Sequence, residues 1–324
     1  MNLDALPRFP LGLLPTPVQE MPALSGRLDC RLLIKRDDLT GLALGGNKIR
    51  KLEFLLGDAI RMGADTLVTT GAPQSNHCRQ TAAAAAKAGL RSILVLAGSR
   101  QPADSGNLLL DSLLGAELVW TGGRPRDEVL RETFERERRG GGKPYLIPYG
   151  GSNPLGVAAY ALAVRELIAQ NVRPDWTVFA SSSGGTQTGL LLGCALFGLN
   201  TRVYGISVDP TADVLRRIIL DLAEKTRQAL RLPASISADS ICIDDGFLGA
   251  GYGKVGPNEK EAIALFARRE GILLDPVYTG RAAGGLLKMI ERGTIARGET
   301  VLFWHTGGTP ALFAYADELT ESAA

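Results

Sequence analysis

The feature that most constrains this chain is an alternation. Short runs that are apolar on both parities of a strand are separated by helix-length stretches with a one-sided apolar face. Residues 66–70, 92–96, 177–180 and 301–305 are such runs, and they suit strands covered on both faces, as in parallel sheets. Arg31, Glu117, Pro144 and Arg202 each open a further predicted strand, over 31–35, 117–120, 144–147 and 202–208. Between them, residues 47–63 place Ile49, Leu52, Leu56 and Ile60 on one helical face. Residues 81–88 are an alanine run of high helix propensity. Residues 127–139 are dense in i,i+4 charge pairs and read as a solvated helix face. Helices are also predicted over 156–170, 186–197, 213–230, 258–270 and 281–292. The pattern predicts an α/β fold with two open, mostly parallel sheets and helices on both faces.

Composition narrows the function. At 324 residues the chain exceeds what one hydrophobic core comfortably fills, so two intimate domains are expected. Its 36 Lys+Arg against 34 Asp+Glu leave no basic excess for a dedicated nucleic-acid binder. Cys30, Cys78, Cys194 and Cys242 are scattered without a C-x-x-C pair, which fits a reducing compartment better than a disulfide frame or structural zinc. With only 2 His, no metal site is expected. The N-terminal residues lack an apolar signal-peptide core, and the uncharged run 176–201 holds SSSGGTQT, costly in lipid. A cytoplasmic protein without membrane contact is expected. The 39 glycines exceed the roughly 7% usual for globular chains.

The glycines gather with hydroxyls and amides at predicted strand–helix junctions, where open α/β sheets bind ligands. In GGNK, Lys48 stands at a helix start, where the macrodipole opposes a cation. It reads either as an exposed lysine near a turn or as one held neutral or tied covalently in a Schiff base. Arg50 and Lys51 read as ordinary. In QSNHC, the amides and hydroxyl of Gln74, Ser75 and Asn76 either cap a helix or hold a carboxylate, and His77 is a polar residue in the same loop. SSSGGTQTG offers a phosphate cradle without matching a nucleotide-loop pattern. DPVYTG and HTGGTP place Tyr278, Thr279, His305 and Thr306 where they line a pocket or simply fill a core.

Together these segments resemble the pyridoxal-phosphate enzymes of tryptophan-synthase-β fold (fold type II). More narrowly, they resemble the family of D-cysteine desulfhydrase and 1-aminocyclopropane-1-carboxylate (ACC) deaminase. IKRDDLTG, GGNKIRKLE, QSNHCRQTA, PYLIPYGGSNPLG, SSSGGTQTG, LLDPVYTG and HTGGTPALF carry the likeness in order along the chain. The resemblance implies pyridoxal 5'-phosphate as cofactor, with Lys48 bonded to it. It implies that Ser183, Gly184, Gly185 and Thr186 bind the phosphate, Asn76 the ring oxygen, and that Tyr278 stacks on the ring. Thr306 would face the pyridine nitrogen. Ser75, Asn76, His77 and Thr279 would contact substrate, Ser75 holding its carboxylate or assisting proton transfer as a catalytic residue, and Tyr252 would be a second catalytic tyrosine beside Tyr278.

The deaminase branch is expected to carry Glu at 279 and Leu at 306. Threonine at both favours the desulfhydrase branch, because a hydroxyl does not keep the pyridine nitrogen protonated and deepens the electron sink less. The expectation is therefore a carbon–sulfur lyase that converts D-cysteine to pyruvate, ammonia and sulfide. A lyase for another β-substituted alanine such as L-cysteate, the deaminase, and a non-catalytic pyridoxal-phosphate-binding protein are the alternatives. By resemblance the protein is a homodimer acting on a small amino acid. Its large cofactor-binding domain would span 1–50 and 159–324, and its small domain 51–158.

Overall fold

A computed structural model describes residues 3–100 and 105–320. In chain order the elements are β1 (Val18–Glu20), α1 (Pro22–Leu28), β2 (Arg31–Arg36), α2 (Lys48–Arg61), β3 (Thr66–Gly71), α3 (Asn76–Ala88), β4 (Arg91–Leu96), α4 (Asn107–Leu113), β5 (Glu117–Trp120), α5 (Arg126–Arg139) and β6 (Pro144–Leu146). Then follow α6 (Pro154–Ala169), β7 (Trp176–Ser181), α7 (Gly185–Phe197), β8 (Arg202–Ser207), α8 (Ala212–Leu230), β9 (Cys242–Asp244), α9 (Pro257–Glu270), α10 (Thr279–Glu291), β10 (Thr300–His305) and two short C-terminal helices. Among the described residues no helix is long and apolar enough to cross a membrane.

The strands form two sheets, ordered β1-β2-β10-β7-β8-β9 and β5-β4-β3-β6. Every pairing is parallel except that of the edge strand β1 with β2. The doubly apolar runs are the inner strands. Every residue of β3 and β7 is buried, between helices on both faces. One core of the larger sheet joins Ile34, Val178 and Phe303 to Phe266 and Leu286 of α9 and α10. The other joins Phe179, Leu302 and Trp304 to Tyr160 and Leu190 of α6 and α7. Leu67 and Ile147 pack against α2 and α3.

The structure departs from expectation in short or polar elements. β1 and β9 are three-residue strands with no periodicity to read. The helix predicted from residue 81 begins at Asn76, because Ser75 Oγ caps it by accepting from Cys78 N. Ile60, placed on the apolar face of α2, is 43% exposed. The expected domain limits at 50/51 and 158/159 fall inside α2 and α6, so two continuous helices span the junction of the two sheets.

At that junction lies a buried group of four charges. Asp37, at the end of β2, is fully buried. It accepts from Arg50 Nε and Nη2, Thr16 Oγ1, Tyr160 Oη and Trp304 Nε1 at 2.7–3.0 Å. Arg50 also donates to Glu166 at 2.8 and 2.9 Å, and Lys35 Nζ reaches Glu166 at 2.6 Å. Two cations and two carboxylates thus cancel. Burial pushes Asp37 up, but Arg50 and the Trp304 and Tyr160 donors outweigh it and hold the carboxyl below its ordinary range.

Asp37→Asn leaves Arg50 short of a countercharge and should lower unfolding free energy by about 3–5 kcal/mol at neutral pH. Glu20→Gln, which breaks an exposed pair with Arg31, should change it by less than about 1 kcal/mol. Because the folded-state value of Asp37 is depressed, its contribution is present above the ordinary carboxylate range and fades as pH falls through it. The gap between wild type and Asp37→Asn in urea denaturation should therefore shrink on acidification.

Candidate active site

The C-terminal ends of β3, β7 and β10 open onto one cleft. Asn47, Lys48, Ser75, Asn76, His77, Tyr149, Gly150, Ser181, Ser182, Ser183, Gly184, Thr186, Tyr278 and Thr306 line it. The helices α2, α3, α7 and α10 all begin at its walls. The start of α10 is taken up by the Asp275 carboxylate, which accepts from Tyr278 N and Thr279 N, whereas the N–H groups and positive dipole ends of the other three make the cleft a site for anions.

Lys48 is the first residue of α2, and Asn47 N donates to Thr306 O at 2.9 Å, tying the lysine loop to the end of β10. Gly307 permits that approach: its φ is +90°, and a Cβ there would collide with Gly46 Cα. No hydrogen bond or ion pair holds Lys48 Nζ among the described residues. Burial, unrelieved by any carboxylate, lowers its pKa to about 8. Lys48 is thus close to its neutral, nucleophilic form near physiological pH.

The phosphate cradle forms at the start of α7. Gly184 is its N-cap with φ +77°, a left-handed turn that leaves the N–H groups of Gly185 and Thr186 without intrahelical partners. Ser181 Oγ and Ser182 Oγ are buried there without hydrogen-bond partners. Ser183 Oγ is already shared with Ser152 Oγ at 2.8 Å, and Thr186 Oγ1 lies 3.5 Å from Asn47 Nδ2. Lys51, which had read as ordinary, is fully buried beside this cradle. Its one hydrogen bond among the described residues is to Gly150 O at 3.2 Å, and a Cβ built on Gly185 would stand 3.0 Å from its Nζ. Burial, and then Lys48, push Lys51 well below the ordinary lysine range. Orphaned hydroxyls, free helix N–H groups and an uncompensated buried lysine together fit a phosphate monoester.

The other predicted residues separate into two sets. Ser75, Asn76, His77, Tyr278 and Thr306 meet at the cleft. His77 is neutral, since burial drives its pKa well below the usual value, and its Nε2 lies 2.9 Å from Thr69 Oγ1. Tyr252 is absent from the cleft wall but reaches it through Tyr278, with Oη–Oη 2.6 Å. Burial, then Tyr252, keep Tyr278 protonated well above its ordinary range. Thr279, expected to contact substrate, is not among the residues that line the cleft. It is fully buried, and its Oγ1 and N–H both bond Asp275 Oδ1 at 2.8 Å. The turn around Asp275 uses the threonine to aim Tyr278 and leaves nothing for a ligand.

A protein-family model described as "Pyridoxal-phosphate dependent enzyme" matches residues 10–307. The chain belongs to that family. It is 43% identical to the D-cysteine desulfhydrase of Yersinia enterocolitica, over 97% of each chain. It is also 43% identical to a putative ACC deaminase of Pyrococcus abyssi, over 99% of this chain and 98% of that one. A crystal structure of an ACC deaminase homologue superposes with a TM-score of 0.91 at 40% identity, covering 98% and 97% of the two chains. The protein is a pyridoxal-phosphate-dependent enzyme of fold type II, in the D-cysteine desulfhydrase and ACC deaminase family.

Lys51→Met should weaken pyridoxal phosphate binding to the apoprotein by about 10–100-fold, the scale of one charge-assisted contact. Affinity for pyridoxal, which lacks the phosphate, should stay within about twofold in the same fluorescence titration. Equal loss for both ligands would place Lys51 elsewhere than at the phosphate.

Proposed function

We propose that the enzyme is a carbon–sulfur lyase that eliminates sulfide from D-cysteine to yield pyruvate and ammonia. The observation that carries this reading is the charge of the cleft. Among the described residues no aspartate or glutamate lines it, and Thr306, just past the end of β10, does. The relatives bear both names and so support either substrate.

Bound pyridoxal phosphate supplies an electron sink for the carbanion left when the α-proton departs. A threonine at residue 306 does not force a proton onto the ring nitrogen, which leaves that sink shallow. A shallow sink suits a β-substituent that leaves as charge develops more than it suits opening a cyclopropane ring. The substrate carboxylate fits the start of α3. There the N–H groups of Asn76 and His77, in the first turn, have no intrahelical partner, and Ser75 Oγ stands beside them, capping the helix through Cys78 N. Lys48 is the lining group able to take or give a proton near neutral pH. Tyr278, held protonated, serves as a hydrogen-bond donor.

The test is a panel of D-cysteine, L-cysteine, L-cysteate and ACC, read as pyruvate or 2-oxobutyrate. D-cysteine should give pyruvate and sulfide in equal amounts with the highest kcat/KM. 2-Oxobutyrate from ACC at a comparable rate would overturn the assignment. Lys48→Ala should lower kcat on D-cysteine by at least about 10³-fold.

The apoprotein should capture pyridoxal phosphate by way of neutral Lys48. Below a pH of about 8 the protonated amine is inert, so the capture rate should climb with pH and level off above it. Stopped-flow absorbance checks this. A rate that climbs only towards pH 10 would mean an unshifted lysine.

A further inference from the structure

Behind Asn76 lies a chain of buried amides that the activity does not account for. Arg79, on the next turn of α3, is fully buried. Its Nε donates to Asn107 Oδ1 at 2.7 Å, its Nη1 to Ala43 O, and its Nη2 to Gly45 O at 3.0 Å. One guanidinium therefore clasps the loop that leads to Lys48 and the first residue of α4. Asn107 is also fully buried. Its Nδ2 donates to Gln74 O at 3.0 Å and to Asn76 Oδ1 at 2.9 Å, while its backbone N–H donates to Gln74 Oε1 at 2.8 Å.

The orientation of each amide in this chain is forced. Arginine only donates, so the end of Asn107 that meets Arg79 is the oxygen. The carbonyl of Gln74 only accepts, so the end that meets it is the nitrogen. Both protons of Asn107 Nδ2 are then used, and the second is received by Asn76 Oδ1. Asn76 is left with Nδ2 as its unspent end. That nitrogen lies over Gly308, where an added Cβ would come within 2.8 Å of it, and makes no hydrogen bond with the described residues.

We propose that Asn107, itself set by Arg79, is a positioning residue that fixes the side-chain amide of Asn76 so that a donor, not an acceptor, faces the cofactor. The proposal rests on the cofactor reading of the cleft. It explains why a charge as costly to bury as Arg79 stands where the lysine loop, α3 and α4 meet. If Asn76 turned over, it would present Oδ1 to the ring oxygen of the cofactor, and two acceptors would repel. Asn107→Asp keeps size and the bond to Arg79 but loses both donated bonds.

The experiment follows the absorbance of the reconstituted holoenzyme. Asn107→Asp should weaken pyridoxal phosphate binding about tenfold and raise the pH midpoint of its absorbance band by about one unit. The midpoint rises because a donor lost from the ring oxygen no longer favours the deprotonated form. In an Asn76→Ala background the same substitution should move neither quantity by more than about twofold or 0.2 unit. Asn107→Ser should reproduce the pattern. An unmoved midpoint, or equal shifts with and without Asn76, overturns the proposal. So does the collapse of both single variants to unfolded protein, which would make Asn107 a folding residue. If the wild-type chain formed no absorbance band with pyridoxal phosphate, the cofactor reading would fail first, before any variant was compared.

Discussion

The structure depends on the mutual neutralisation of Asp37, Arg50, Glu166 and Lys35. Each of these groups alone would be expensive to remove from water. Together they carry no net charge, and the Thr16, Tyr160 and Trp304 donors take up the remaining carboxylate lone pairs. The cluster joins the N-terminal segment, β2, α2, α6 and β10, which come from distant parts of the chain. A hydrophobic contact would allow α2 to slide or turn. Arg50, bonded to both Asp37 and Glu166, does not. Glu53, one turn on, accepts from Leu11 N and Gly12 N, and so fixes the same face of the helix. With that face fixed, the i−2 and i+1 neighbours of Arg50 are committed to the other side. They are Lys48, in the cleft, and Lys51, beside the phosphate cradle.

This explains where the sequence was legible and where it was not. The inner strands were legible because burial on both faces leaves no polar parity to confuse the pattern. The long helices were legible from their apolar spacing, although Ile60 shows that an apolar residue in register need not be buried. Arg50 and Lys51 were not. A charged residue in a helical stretch reads as solvated, and nothing local reveals that its partner lies 13 or 116 residues away. The start of α3 was hidden for the opposite reason. Asn76 and His77 look like loop residues because they are polar, and they are polar because the first turn of the helix forms the cleft wall. Most of the cleft became legible through motif resemblance. Thr279 and Tyr278 are neighbours in sequence, yet Thr279 bonds Asp275 through its N–H and hydroxyl while Tyr278 lines the cleft.

The starts of α2, α3 and α7 and the lack of a lining carboxylate among the described residues are two sides of one electrostatic design. Positive helix ends favour a phosphate and a carboxylate, and a lining Asp or Glu would compete with both. The same field, with burial, disfavours protonated lysine, so Lys48 can be a nucleophile without a neighbouring base. Burial and Lys48 push Lys51 well below the ordinary lysine range, and an anion bound beside it would favour its charged form.

Proton traffic in the cleft follows from these shifts. A side chain can exchange a proton in turnover only if both its forms are accessible near the working pH. His77 is held neutral by burial, and its Nε2 lies beside Thr69. Tyr278 is held protonated by burial and by its bond with Tyr252, so it donates a hydrogen bond without giving up the proton. The serines and Thr306 are far weaker acids. Lys48, near 8, is left as the lining side chain whose two forms are both populated. A base on one wall of a cleft reaches one face of a flat cofactor. On the proposed reading, the handedness of the substrate is decided by which way a carboxylate held at the start of α3 turns the α-proton relative to that wall. Discrimination between enantiomers is then a matter of placing α3 against the loop that leads into α2, which Arg79 ties to α3 through Gly45 O.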